Sequence, residues 1–411
     1  MIYVTPIAFM KNQVTPWKVL AGKNFGLFWF SLLVSSIGTQ VAQVTIAWQI
    51  YEITDSPLQL GLTGLFRIIP LAIFSLSGGV MADRMNRRKL MIITQGAAMI
   101  FALALGLLTT SGYIQVWHIY AITFLTTAAG SIDSPARSAL IPNLVPREHL
   151  TTAFALNVTL RQSATLVGPF LGGIVIAGLG IAPSYYINAL SFLAVIFSLM
   201  LMQVTETRSA APRQPALKSM REGLGFVREN PAILGLMIMD TCVNFFGAYR
   251  SMMPVFARDL LNVGPQGLGA LLGAPAFGAL LGSAFVMMGG NPKHKVRRAV
   301  IVTLAYAVGL IFFALSRSFA LSLSIAFVLG MLDAIGETLR VTIIQLATPD
   351  QLRGRVQSLA HLFATGGPHL GQVQLGATAA LMGAPAALLL GGVIAVMVIS
   401  ALARKVSRLR E

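Results

Sequence analysis

Three ionisable residues, Arg67, Arg161 and Asp240, sit inside long apolar stretches. A charge retained in such a place usually faces a cavity inside the protein and serves in moving a solute or a proton. Counting inward from the ends of the stretches at about 1.5 Å per residue puts all three roughly 12–16 Å deep, so a shared cavity is expected. Asn244 follows Asp240 by four residues on the same helical face, where its amide can position a ligand or a proton. Asp240 is the only acid at this depth and is the first candidate for proton coupling, with Asp133 and Glu337 behind it. Two roles stay open for the trio. It is a working site, or Asp240 forms a silent ion pair with Arg67 or Arg161. Two guanidinium groups against one carboxylate make the site net positive, which suits an anionic or neutral amphiphile better than a lipophilic cation. Gln40 and Gln43 are candidate polar cavity groups, and Phe66 is candidate cavity wall, with Phe170, Phe245 and Phe246 as further apolar wall.

The elements that must hold these residues follow from composition. Of 411 residues, 55% are hydrophobic and only 11% charged, against about a quarter charged in a soluble domain. Hydrophobic segments fall at about 25–50, 59–82, 90–111, 116–137, 151–178 and 183–204, then at about 231–256, 266–289, 299–316, 319–340, 357–381 and 384–402. The expected fold is an all-α integral membrane bundle of twelve transmembrane helices. The N-terminus, residues 1–24, shows no removable signal peptide. A formal charge of +16 is placed by topology: alternate connections carry Arg84, Arg87, Arg88 and Lys89, then Arg147, then Arg208, Arg213, Lys218, Arg221 and Arg228. Lys293, Lys295, Arg297, Arg298, Arg353 and Arg355 continue the series, and Arg404, Lys405, Arg408 and Arg410 close it, while the opposite connections hold Arg258 and Arg317. Positive charge retained on one side places both termini in the cytoplasm and makes nucleic acid an unneeded partner.

The polar connection at about 205–230, with Pro212, Pro215 and a charged helical stretch from Leu217 to Glu229, divides six spans (25–204) from six (231–402), ahead of a tail at 403–411. The halves echo each other. Gly168-Pro169-Phe170-Leu171-Gly172 returns as Gly367-Pro368-His369-Leu370-Gly371, and Asp133 returns as Asp333. Parallel repeats of this size with a site between them are how many secondary transporters are built. Glu337 and Arg340, three residues apart, are expected to pair on one helix face. His361 and His369 do not make a metal site by themselves, and Cys242, the single cysteine, forms neither a disulfide nor a cysteine-based zinc site. No phosphate-cradling Gly-x-x-x-x-Gly-Lys motif and no hydrolase motif stands out, so the energy must come from a gradient and no enzyme chemistry is visible.

Gly79-Val80-Met81-Ala82-Asp83-Arg84-Met85-Asn86-Arg87-Arg88-Lys89, between the second and third segments, resembles the signature loop of the major facilitator superfamily. Asn86 replaces the pattern's glycine and is expected to keep a left-handed turn. The stretch Ser134 to Pro142, followed by Leu144-Val145-Pro146, is similar to the branch holding macrolide-efflux proteins and enterobactin-type siderophore exporters. That resemblance implies outward movement of a small molecule, such as a drug or siderophore-like metabolite, against protons, by a monomer in a prokaryotic inner or plasma membrane without a cofactor. It also implies that Gly79, Asp83, Arg84, Arg87 and Arg88 latch the cytoplasmic face, and that Gly168, Pro169 and Gly172 form an antiporter Gly-Pro element. Asp83 and Arg87 are four residues apart and suited to pair. Uptake of an anionic small molecule is the alternative, and a membrane receptor or enzyme a remote one.

Overall fold

An apolar slab leaves the helix as the economical backbone for these segments, because each N–H and C=O is then satisfied within the segment. The computed structural model describes residues 15–202, 216–288 and 294–406, and among them the chain is helical with no strand. The first series is α1 (Lys23–Thr54), α2 (Pro57–Arg84), α3 (Arg87–Thr110), α4 (Val116–Leu140), α5 (Leu150–Leu179) and α6 (Ile181–Leu201). A helix at Ala216–Glu229 precedes the second series: α7 (Pro231–Phe246), α8 (Gly264–Met288), α9 (Lys295–Leu315), α10 (Phe319–Ala347), α11 (Arg353–Met382) and α12 (Ala384–Val406). Each expected segment is helical. By length and apolarity nine of the described helices are fit to cross a membrane, or ten if Glu222–Glu229 and Ile233–Leu260, bent by 102°, form one span. Val116–Leu140 and Arg353–Met382 are long enough but more polar than those nine. Arg208, Arg213, Lys293, Arg408 and Arg410 lie outside the described residues, as do the side chains of Asp83, Lys218, Arg221, Arg404 and Lys405.

Local signals set the boundaries. Pro57 and Pro231 open α2 and α7 at first-turn positions, where a missing N–H costs nothing. Asn86 departs from the expected left-handed turn: at φ −63° and ψ 117° it is the extended N-cap of α3, its Oδ1 accepting from Lys89 N at 2.8 Å. The side chain thus replaces the glycine by capping. The seventh segment is not the continuous span expected over 231–256. It breaks after Phe246, passes through a 3₁₀ turn at Tyr249–Met252 and ends in a π turn at Phe256–Leu260. Gly180 and Gly383, at φ +93° and +84°, make the corresponding sharp turns from α5 to α6 and from α11 to α12.

The sequence echo extends to packing. Gly168 and Gly172 face Gln40 and Val41 of α1, while Gly367 and Gly371 face Asn244 and Phe245 of α7. Gly173, the residue after Gly172, meets Gly269 of α8, and Gly376, five residues after Gly371, meets Gly61 of α2, so close that an added Cβ on Gly173 would lie 2.5 Å from Pro265 O. Two seams, α5 with α8 and α2 with α11, therefore join the series backbone to backbone at the end of the bundle where α1 gives way to α2. We call this the far end. The other is the basic end, where Arg355 pairs with Glu222 of the connecting helix.

Candidate functional site

The six helices of the first series surround a cavity of about 540 Å³, and α11 closes it with Thr365 and His369. The volume is that of a small-molecule site. Each helix contributes for a local reason. α1 turns Gln40 and Gln43 inward beside the close α1–α5 contact, and Gln40 Nε2 donates to Thr165 Oγ1 at 3.0 Å. α2 supplies Arg67 and α5 supplies Arg161, both on the cavity wall. From α4 comes Asp133, 3% exposed, whose Oδ1 accepts from Thr94 Oγ1 at 2.8 Å and Gln95 Nε2 at 3.1 Å. Arg137, one turn on, reaches the other oxygen of Asp133 at 3.7 Å and also lines the cavity. Ile46, Leu105, Ile122 and Phe192 make an apolar wall, so the lining suits an amphipathic molecule.

The structure separates the expected trio. Asp240 is not on this cavity. Its Oδ1 lies 2.6 Å from Arg340 Nη2, so its partner is neither Arg67 nor Arg161. Arg340 also donates to Thr303 Oγ1 at 3.3 Å, and among the described residues no ion pair joins it to Glu337, which is exposed. Arg340 instead turns to Asp240 and Thr303, and Glu337 stays within electrostatic range of Arg340 and Asp240 without a direct contact. Asn244 also leaves the cavity set, its Nδ2 donating to Asp240 O at 2.9 Å and to Asp240 Oδ1 at 3.3 Å. Phe66 is drawn away by Tyr120, on which its ring stacks with centroids 4.5 Å apart and planes at 6°. Phe170, Phe245 and Phe246 are likewise absent from the lining. Of the latch residues, Gly79 has open space beside it and Arg84 is exposed. Arg87 Nη1 donates to Ala139 O at 2.9 Å, and Arg88 Nη2 to Met200 O at 2.9 Å.

A cluster the sequence reading passed over closes the far end. Tyr51 Oη donates to Asp259, and Arg258 pairs with Asp55 and, at 3.1 Å, with Asp259. Arg258 Nη1 also donates to Tyr51 O at 3.2 Å, and its guanidinium carbon lies 4.6 Å from the centre of the Tyr51 ring. Tyr51 and Asp55 come from the end of α1, and Arg258 and Asp259 from the π turn after α7. A signal was present in the adjacent Arg258-Asp259 on an otherwise charge-poor side, but only the fold shows what they meet.

Comparison with known proteins decides the class. A major facilitator family model described as "Transmembrane secretion effector" matches residues 14–411. The chain belongs to this family. Among similar proteins are the enterobactin exporters EntS of Escherichia coli O6:K15:H31 (strain 536 / UPEC) and of Shigella boydii serotype 18, each 26% identical over 363 residues, or 87% of this chain and 86% of the relative. In fold it matches a bacterial homolog of the human lysosomal transporter Spinster, with TM-score 0.73 and 14% identity over 97% of this chain and 98% of the other. The nucleoside transporter NupG also matches, with TM-score 0.68 and 12% identity over 93% and 100%. The transporter is thus a multi-pass major facilitator protein of the efflux type, and not an enzyme.

Proposed function

We propose that the transporter exports a small amphipathic organic compound from the cytoplasm in exchange for protons, loading it from the basic end into the cavity of the first six helices. The observation that carries this reading is the cavity's position, between six helices and α11, while the two seams and the Tyr51–Arg258 cluster hold the far end shut. Retention of positive charge makes the basic end cytoplasmic, with both termini on that side. The halves 25–204 and 231–402 then rock about the connection at 205–230, with Asp83 and its neighbouring arginines latching the basic end when the far end opens. Asp240 is the first proton site, because a proton on it releases Arg340, and Asp133 and Glu337 follow. The relatives' name, enterobactin exporter, favours a siderophore-like metabolite beside drug-like compounds, moved by a monomer in the inner membrane of a prokaryote. Everted vesicles with an acid interior test this. Enterobactin and a panel of amphipathic drugs are offered outside, and one or more should accumulate until a protonophore is added. Downhill movement alone, indifferent to the protonophore, would refute proton coupling while keeping transport.

A further inference from the structure

The cavity keeps positive charge that the protein does not neutralise. Its lining carries Arg67, Arg137 and Arg161 against one carboxylate, Asp133. Arg137 has Asp133 at 3.7 Å, and that carboxylate already accepts from Thr94 and Gln95. Among the described residues Arg67 and Arg161 form no ion pair. A guanidinium without a counter-ion in a low-dielectric wall is costly, and that deficit calls for an anion.

We propose that the cavity selects an organic carboxylate, an inference that rests on this cavity being the substrate site. The carboxylate is held between Arg67 and Arg161, whose planar forks give paired N–H bonds to its oxygens. A lipophilic cation has no free acid here and meets two unneutralised guanidiniums instead.

The test uses the full-length transporter in nanodiscs with three fluorescent probes of one shape: 3-hydroxy-2-naphthoate, 3-hydroxy-2-naphthamide and (3-hydroxy-2-naphthyl)methylammonium. The carboxylate should bind saturably and about tenfold or more tighter than the other two, the scale of a charge-assisted pair. Arg67→Gln and Arg161→Gln should each remove that preference, while Arg161→Lys, which keeps the charge, should retain part of it and serves if the glutamine variants do not fold. Equal or tighter binding of the ammonium probe, a preference that survives both glutamine variants, or no saturable binding of the carboxylate overturns the proposal. Vesicle accumulation is read separately: accumulation by a protein that fails the probe test overturns only the anion reading, and anion binding without vectorial movement overturns export.

Discussion

Arg340 Nη2 and Asp240 Oδ1 lie 2.6 Å apart, joining α10 to α7, with side chains 7% and 19% exposed. A pair so placed is expensive to break from one side, because the remaining charge stays in a poor solvent. Asp240→Ala should therefore destabilise the transporter by about 3 kcal/mol or more, and adding Arg340→Met should recover most of the loss. Thermal unfolding in detergent reads both. If the single and double variants melt alike, the pair is not a structural unit.

The same pair carries the proton reading. Asp240→Asn retains shape and one hydrogen-bonding oxygen but holds no exchangeable charge, so it should permit exchange of substrate across vesicles while abolishing uphill accumulation. A variant that still concentrates substrate with the normal pH dependence would move proton coupling to Asp133 or Glu337.

At the far end, Arg258 is held by Asp55, Asp259 and the Tyr51 carbonyl, and Tyr51 Oη donates to Asp259. These contacts stabilise only the state closed at that end, so removing them should shift the population toward the one open there. The single native cysteine, Cys242, is buried, which leaves a clean background for a reporter. In right-side-out vesicles, Arg258→Ala combined with Ile46→Cys on the cavity wall should be labelled by an impermeant maleimide about fivefold faster or more than Ile46→Cys alone. Equal rates would mean that the cluster does not govern opening.

The seams make a complementary prediction. An added Cβ on Gly173 meets Pro265 O at 2.5 Å and Gly269 Cα at 3.0 Å, and one on Gly376 meets Gly61 Cα at 2.6 Å. Backbone cannot yield as a flexible side chain can, so Gly173→Val and Gly376→Val should hold the far end open, stopping transport with the protein still folded. Spin labels across the far end should report a longer distance in each. An unchanged distance with normal transport would show that the seams tolerate separation.

Much of the fold was legible because the bilayer imposes one backbone solution on apolar segments, and the Gly-Pro echo between α5 and α11 reappears as matched packing against α1 and α7. What could not be read was azimuth. Residue counting gives depth along a helix, and Arg67, Arg161 and Asp240 share a depth, yet the first two line the cavity and the third faces Arg340. Spacing likewise made Glu337 the natural partner of Arg340, but Asp240 of α7, remote in sequence, takes the direct contact. The far-end cluster needs residues 51–55 and 258–259 brought together, which no local pattern encodes.

The arginines of the signature loop have a structural job beside the latch proposed for them. Arg87 and Arg88 donate to Ala139 O and Met200 O, carbonyls at the last turns of α4 and α6. A cation there satisfies orphan carbonyls and meets the negative end of the helix dipole, worth about 0.3–1 kcal/mol each. Arg88→Ala should thus cost a little stability in addition to weakening the latch. Asp83, at the end of α2 and sixteen residues beyond Arg67 in the chain, is expected to act on the conformational cycle. Asp83→Asn should abolish transport while substrate affinity stays within a few-fold, because a latch changes the balance of states without touching the ligand. Thermal melting, equilibrium binding and vesicle transport on the two variants distinguish the roles. A large affinity loss for Asp83→Asn with an intact transport rate would place Asp83 in binding and remove it from the latch.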